Sequence, residues 1–125
     1  MSGSRGDLVE SASSSDAETK AARVRELNDR FRTTLIGGNA TMTSGIAALG
    51  ETMVARIIET VCKFANFDVD NDPHHEHDFG AIEIEWHKIF FKIDCYDKKL
   101  EFGSPDPADP SVTTRVLTIM LAEEY

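Results

Sequence analysis

Long apolar runs are missing from this chain. None approaches the roughly 18 residues that a membrane-crossing helix needs, so no membrane partner is expected. Cysteine is scarce: Cys62 and Cys95 are the only two. They do not form a CxxC pair and sit inside an expected helix and an expected strand, so they read as buried free thiols. The first twenty residues, MSGSRGDLVESASSSDAETK, lack the apolar centre of a secretory leader, which makes the cytoplasm the expected compartment. GxSxG, HExxH, Walker-loop and GxGxxG signatures are also absent, and Gly37-Gly38 alone is too short to cradle a phosphate. No cofactor is expected.

What is present fits one domain. A chain of 125 residues supports a single hydrophobic core. Its net charge of −9 is unevenly spread. Residues 1–65 hold eight acids and eight bases, residues 66–110 hold twelve acids and four bases, and residues 111–125 hold two acids and one base. An acidic half disfavours direct binding to nucleic-acid phosphates and favours a basic protein surface, cations or plain solvation.

Residues 1–16, rich in Ser, Gly and Asp, read as a disordered tail, with residues 17–125 as the folded domain. Asp16 can cap a first helix whose narrow apolar stripe is Val24, Leu27 and Phe31, bordered by Asn28 and surrounded by arginines. Ile36-Gly37-Gly38 ends it. A short strand is expected over about 39–43, although residues 39–49 also suit a turn. A second helix follows, with Met53, Val54, Ile57, Ile58, Val61 and Ala65 on a wide apolar face. Glu51 and Lys63 complement its dipole.

Strand periodicity then takes over. Ile82, Ile84 and Trp86 alternate with Glu83 and Glu85, and Ile89, Phe91, Ile93 and Cys95 alternate with Phe90, Lys92, Asp94 and Tyr96. A short Trp86–Lys88 link implies an antiparallel hairpin. Asp97–Lys99 turns into a third short strand, Leu100–Phe102, to complete a meander. After the proline-broken SPDPADP, Asp109 caps and Pro110 opens a largely buried C-terminal helix. The expected fold is α+β: helix, short strand, helix, three-stranded antiparallel meander, C-terminal helix, with the helices on one face of the sheet. The other face is wet or turned to a partner.

The stretch NDPHHEHDFG, Asn71–Gly80, is the densest in functional groups. His75 and His77 with Asp78, or with Asp72 in its place, form a candidate metal set of two imidazoles and a carboxylate. Against it stands a polar turn that starts the sheet, with Asn71–Pro73 as the turn and Glu76–Asp78 ordering the strand start. His77, Asp78, Asp94 and Asp97 form a candidate acid–base set if the hairpin brings Asp78 close to Asp97. Glu76, Glu83, Glu85, Asp94, Asp97 and Asp106 are the acids best placed to meet a basic partner.

The order ELNDRFR, AALG, NDPHHEHDFG, FKIDCYD, FGSPDPADP, TTRVLTIMLAEEY resembles a small bacterial family known as a domain of unknown function, plasmid-related in part and found in alphaproteobacteria. The resemblance covers about residues 21–125. His74 and His75 depart from the family pattern, which leaves Glu76, His77 and Asp78 as the matching polar core. The family implies no reaction; its mobile-element association implies an accessory role. The leading expectation is a non-enzymatic interaction protein whose acidic surface blocks a nucleic-acid-processing defence complex of the host. A small metal-dependent or acid–base hydrolase is the alternative, and a homodimer through an exposed sheet edge is the third.

Overall fold

The computed structural model describes residues 2–125, with side chains from Ala17 onward. The elements are α1 (Ser2–Thr34), β1 (Gly38–Met42), α2 (Ser44–Ala47), α3 (Glu51–Lys63), β2 (Phe79–Ile84), β3 (His87–Tyr96) and β4 (Thr114–Leu121). α1 runs through most of the tail expected over residues 1–16, so Asp16 lies within the helix rather than at its start. The strands form one sheet of order β1-β4-β3-β2. β4 runs antiparallel to β3 and parallel to β1.

Packing follows the sequence pattern closely up to β3. Val24, Leu27 and Phe31 of α1 are buried, as are Ile57 and Val61 of α3. Phe31, Ile57 and Val61 meet Ile89, Phe91 and Ile93 of β3 and Leu117 and Ile119 of β4 in one core. Alternation explains why these strand residues share a face. Phe79, Phe90, Lys92, Asp94, Val116 and Thr118 occupy the other face and stay partly exposed. Phe79 and Phe90 cluster there with Tyr125, ring centroids 5.1–5.9 Å apart. α1 ends where Leu35 turns left-handed, φ 59°, two residues before Gly37 at φ 105°.

The C-terminal segment corrects the expected fold. Residues 114–121 form β4, a central strand, and no C-terminal α-helix is present among the described residues. Neighbours pair with both of its edges, and its side chains go alternately to two covered or half-covered faces. Such a strand has no polar alternation, so an apolar run cannot be told from a buried helix by period alone. The β-branched content of Val112, Thr113, Thr114, Val116, Thr118 and Ile119 was the better signal. Asp109 and Pro110 do start a helical turn, but it is a single 3-10 turn, Pro110–Val112, in which the Asp109 carboxylate accepts from Ser111 N.

Two further expectations are revised. The strand Leu100–Phe102 reduces to one isolated bridge between Tyr96 and Gly103, so the antiparallel part of the sheet is β2-β3-β4. The β2–β3 link is Glu85-Trp86 rather than Trp86–Lys88, because Ile84 pairs with His87. Both link residues have positive φ, 45° and 74°, which fits the tight two-residue turn that matches strand twist. Trp86 therefore does not share the face of Ile82 and Ile84; it is 94% exposed at the tip.

Candidate functional site

Asn71–Gly80 crosses from α3 to β2 and lies against α1. Its centre is Asp72, 2% exposed. The Asp72 carboxylate accepts from the backbone N–H groups of Glu76 (3.0 Å) and His77 (3.1 Å), closing a tight turn around Pro73 and His74. The turn is compact because His75 and His77 both take left-handed backbone angles, φ 58° and 54°. Such angles cost most residues of order 1 kcal/mol each, so the surroundings must hold them.

α1 does the holding. Arg25 donates to the His75 carbonyl (2.9 Å) and Asn28 to the Glu76 carbonyl (2.9 Å). His77 Nδ1 lies 2.8 Å from the nearer Asp29 oxygen, and its Nε2 lies 3.5 Å from Asp72. The ring stacks flat on Phe67 at 3.8 Å between centroids. Asp29 also accepts from Arg32 (2.9 Å), whose guanidinium is buried over the Phe67 and Phe91 rings at 5.2 and 5.9 Å. Two of its nitrogens have no hydrogen-bond partner among the described residues, and the π faces supply the attraction instead. Beneath the loop, Arg115 of β4 donates to Asn28 (2.7 Å) and to the Pro107 carbonyl. Asn28 thus links the loop above it to the strand below.

Burial shapes the acids of this hub. It pushes the Glu76 carboxyl above its ordinary value, and repulsion from Asp78 and Asp72 adds to the rise. Asp78 is raised by burial too, partly offset by a hydrogen bond to its own backbone. Burial lowers Arg115 and raises the Cys95 thiol beside it. Cys95 is therefore protonated and inert at neutral pH.

The candidate sets disperse. His77 meets Asp29 and Asp72, not Asp94 or Asp97. The Asp78 carbonyl accepts from Ile93 N, so Asp78 starts its strand opposite Ile93 rather than near Asp97. Asp94 pairs with Lys92 at 3.0 Å, and Asp97 accepts from Lys99 N and Glu101 N in its own turn. His75 offers its carbonyl to Arg25. Among the described residues, no group of three or more His, Cys, Asp or Glu side chains is placed to hold a metal ion. Asp106 supports the fold, because it accepts from Ala108 N and pairs with Lys20 at 3.3 Å.

Asp72, the alternative carboxylate for the histidine set, does lie near His77, whereas the sequence expectations do not pick out Asn28, Asp29, Arg32 and Arg115 as a group. One signal was available. Asn28 and Arg32 follow Val24 at i+4 and i+8, which puts two polar residues on the buried stripe of α1. The pairing with residues 75–77 spans 48 or 50 positions and leaves no local trace. The uneven charge also finds partners within the chain: cations of α1 meet the acidic segment at His75 and Asp106.

The hairpin tip is the other candidate. Glu83 is exposed on the β2 edge, and Glu85 pairs with Arg56 of α3 at 3.0 Å. This exposed pair lies beside the tip from which Trp86 projects. Comparison with known proteins gives one result: a family model described as "Protein of unknown function (DUF3768)" matches residues 42–124. The chain belongs to this family. No curated protein and no solved structure matches it. The DUF3768 span starts at Met42, later than the resemblance over 21–125 implied. It contains the hub loop and Trp86 but not Asn28, Asp29 and Arg32. In this DUF3768 chain the loop is thus locked by side chains from outside the matched span.

Proposed function

We propose that this chain is a non-enzymatic interaction protein that docks through the β2–β3 hairpin tip onto a basic protein. One observation carries the reading: Trp86, the single tryptophan, is 94% exposed in a left-handed position that favours glycine. Nothing in the fold needs an indole there. Exposed, strained and apolar residues are costs that binding explains, and Trp is the residue most enriched among binding anchors. Glu83 is exposed beside the tip, while Glu85 is already held by Arg56, so the partner offers an apolar slot for the indole and its basic character answers the acidity of the chain as a whole. The net charge of −9 steers such a partner in.

Within this reading, the partner class follows from the charge. A basic surface that normally takes nucleic acid would accept an acidic protein with an aromatic anchor. A role as a mobile-element accessory that occludes a host defence nuclease fits that chemistry and the accessory role that the family resemblance implies. The acid–base hydrolase has less support, because His77 is committed to Asp29 and Asp72.

The test immobilises the purified wild type and Trp86→Gly and compares what each captures from a host lysate. The expected result is a basic protein retained by the wild type, lost on Trp86→Gly and released by raised salt. Equal capture by both, or capture insensitive to salt, overturns the reading.

A further inference from the structure

The two edges of the sheet are not alike. β2 carries the exposed Glu83 and leads to the Glu85–Arg56 pair, charges of the kind that keep foreign strands away. β1, Gly38-Asn39-Ala40-Thr41-Met42, has no charged residue and no proline, and all five residues are exposed. In a chain of net charge −9, this is a neutral strand with an open edge.

Its polarity can be assigned. Thr43 N donates to the Ile119 carbonyl, so Thr43, Thr41 and Asn39 turn their backbone groups toward β4. Gly38, Ala40 and Met42 turn theirs outward, with no hydrogen-bond partner among the described residues. These three positions are symmetric about Ala40. A second copy running antiparallel can set Ala40 against Ala40, and Gly38 against Met42, with every outward group paired. Gly38 and Ala40 have little or no side chain to hinder approach.

The layer below agrees. A small apolar cavity of about 100 Å³, lined by Leu35, Ala40, Met42, Ile58, Val61 and Leu117, lies under β1. Met42, which lines it, is 37% exposed, and Ile36, which follows the lining residue Leu35 in the chain, is 76% exposed. A second β1 carries its own Met42 and Ile36 to this margin, so the helix–sheet interior continues across the junction.

We infer that β1 is a self-association edge, through which two copies join their four-stranded sheets into one continuous sheet related by a two-fold axis at Ala40. β2 lies at the opposite edge of each copy, so the assembly presents a Trp86 tip at either end. A bivalent ligand of this kind binds a repetitive or dimeric partner more tightly without new contacts. The association does not depend on the partner reading, because it uses the other edge of the sheet.

Salt separates the two. Docking of an acidic protein on a basic partner weakens with salt, whereas two copies of charge −9 repel and their neutral edges meet more readily once that repulsion is screened. Analytical ultracentrifugation of the full chain, over a concentration series at low and high salt, tests the inference. The expected result is a monomer–dimer equilibrium that shifts toward dimer as salt rises. Ala40→Pro removes an outward N–H, and Met42→Lys places charge at the edge; each is expected to weaken the dimer roughly tenfold or more. Circular dichroism of both variants should match the wild type. If one variant misfolds, the other still decides. A wild type that stays monomeric at millimolar concentration in high salt overturns the inference, as does a dimer that survives a folded variant unchanged.

Discussion

Replacing Trp86 by glycine should make this protein more stable. The wild-type turn holds Trp86 at φ 74°. For an L residue with a side chain, that left-handed position costs roughly 1–2 kcal/mol, and glycine escapes the clash. Glycine gives part of this back, about 0.4–1 kcal/mol, because its unfolded chain has more freedom to lose. No packing is lost with the indole, since it is 94% exposed. The net gain is about 1 kcal/mol. A chain of this length has an unfolding entropy of about 0.25 kcal/mol/K, so the midpoint should rise by about 4 °C. Thermal unfolding followed by circular dichroism reads this directly, with urea unfolding at unchanged slope as the check. The same variant should lose the basic partner, giving a protein that is better folded and worse at binding. A midpoint that falls, or stays within a degree of the wild type, would refute the reasoning: the indole would then support the fold and need no partner to account for it.

The other predictions concern the hub and the fluorescence of the tip. Asp72→Ala strands the N–H groups of Glu76 and His77 and should cost about 3 kcal/mol in urea unfolding, while Asp72→Asn, which keeps an acceptor, should cost less than about 1. Arg115→Met uncovers the buried Asn28 oxygen and the Pro107 carbonyl and should destabilise by about 2 kcal/mol; Arg32→Met, losing one hydrogen bond and two π contacts, should cost distinctly less in the same assay. Asp78→Asn should raise stability at pH 7. Its carboxyl is raised in the folded state, so the wild type is favoured when protonated and loses that advantage as pH rises through the raised value. The gain should accordingly vanish in melts below the ordinary carboxylate range, where the wild type is itself neutral; a gain that persists there would exclude this cause. Tryptophan emission should change little on unfolding, because the single indole is already in water, and should shift to the blue when a partner covers it.

Sequence alone determined the parts of this protein whose period and neighbours are local. α3 follows from its wide apolar face between Glu51 and Lys63. The β2–β3 hairpin follows from strict alternation, and Asp109-Pro110 from cap chemistry. The buried stripe of α1 was legible from Val24, Leu27 and Phe31. The family could also be recognised, through motifs spread along the chain.

Only the tertiary structure decided the fate of residues 114–121. They are apolar enough for a buried helix and branched enough for a strand, and β1 and β3 settle the matter by pairing with both edges. Alternation alone puts Trp86 on the face of Ile82 and Ile84, but the pairing of Ile84 with His87 ends the strand and turns Trp86 outward. The histidine-rich loop became an anchor because α1 supplies Asn28, Asp29 and Arg25 from nearly fifty residues away. Buried polar groups must find partners wherever the fold brings them, and sequence spacing carries no record of such a meeting.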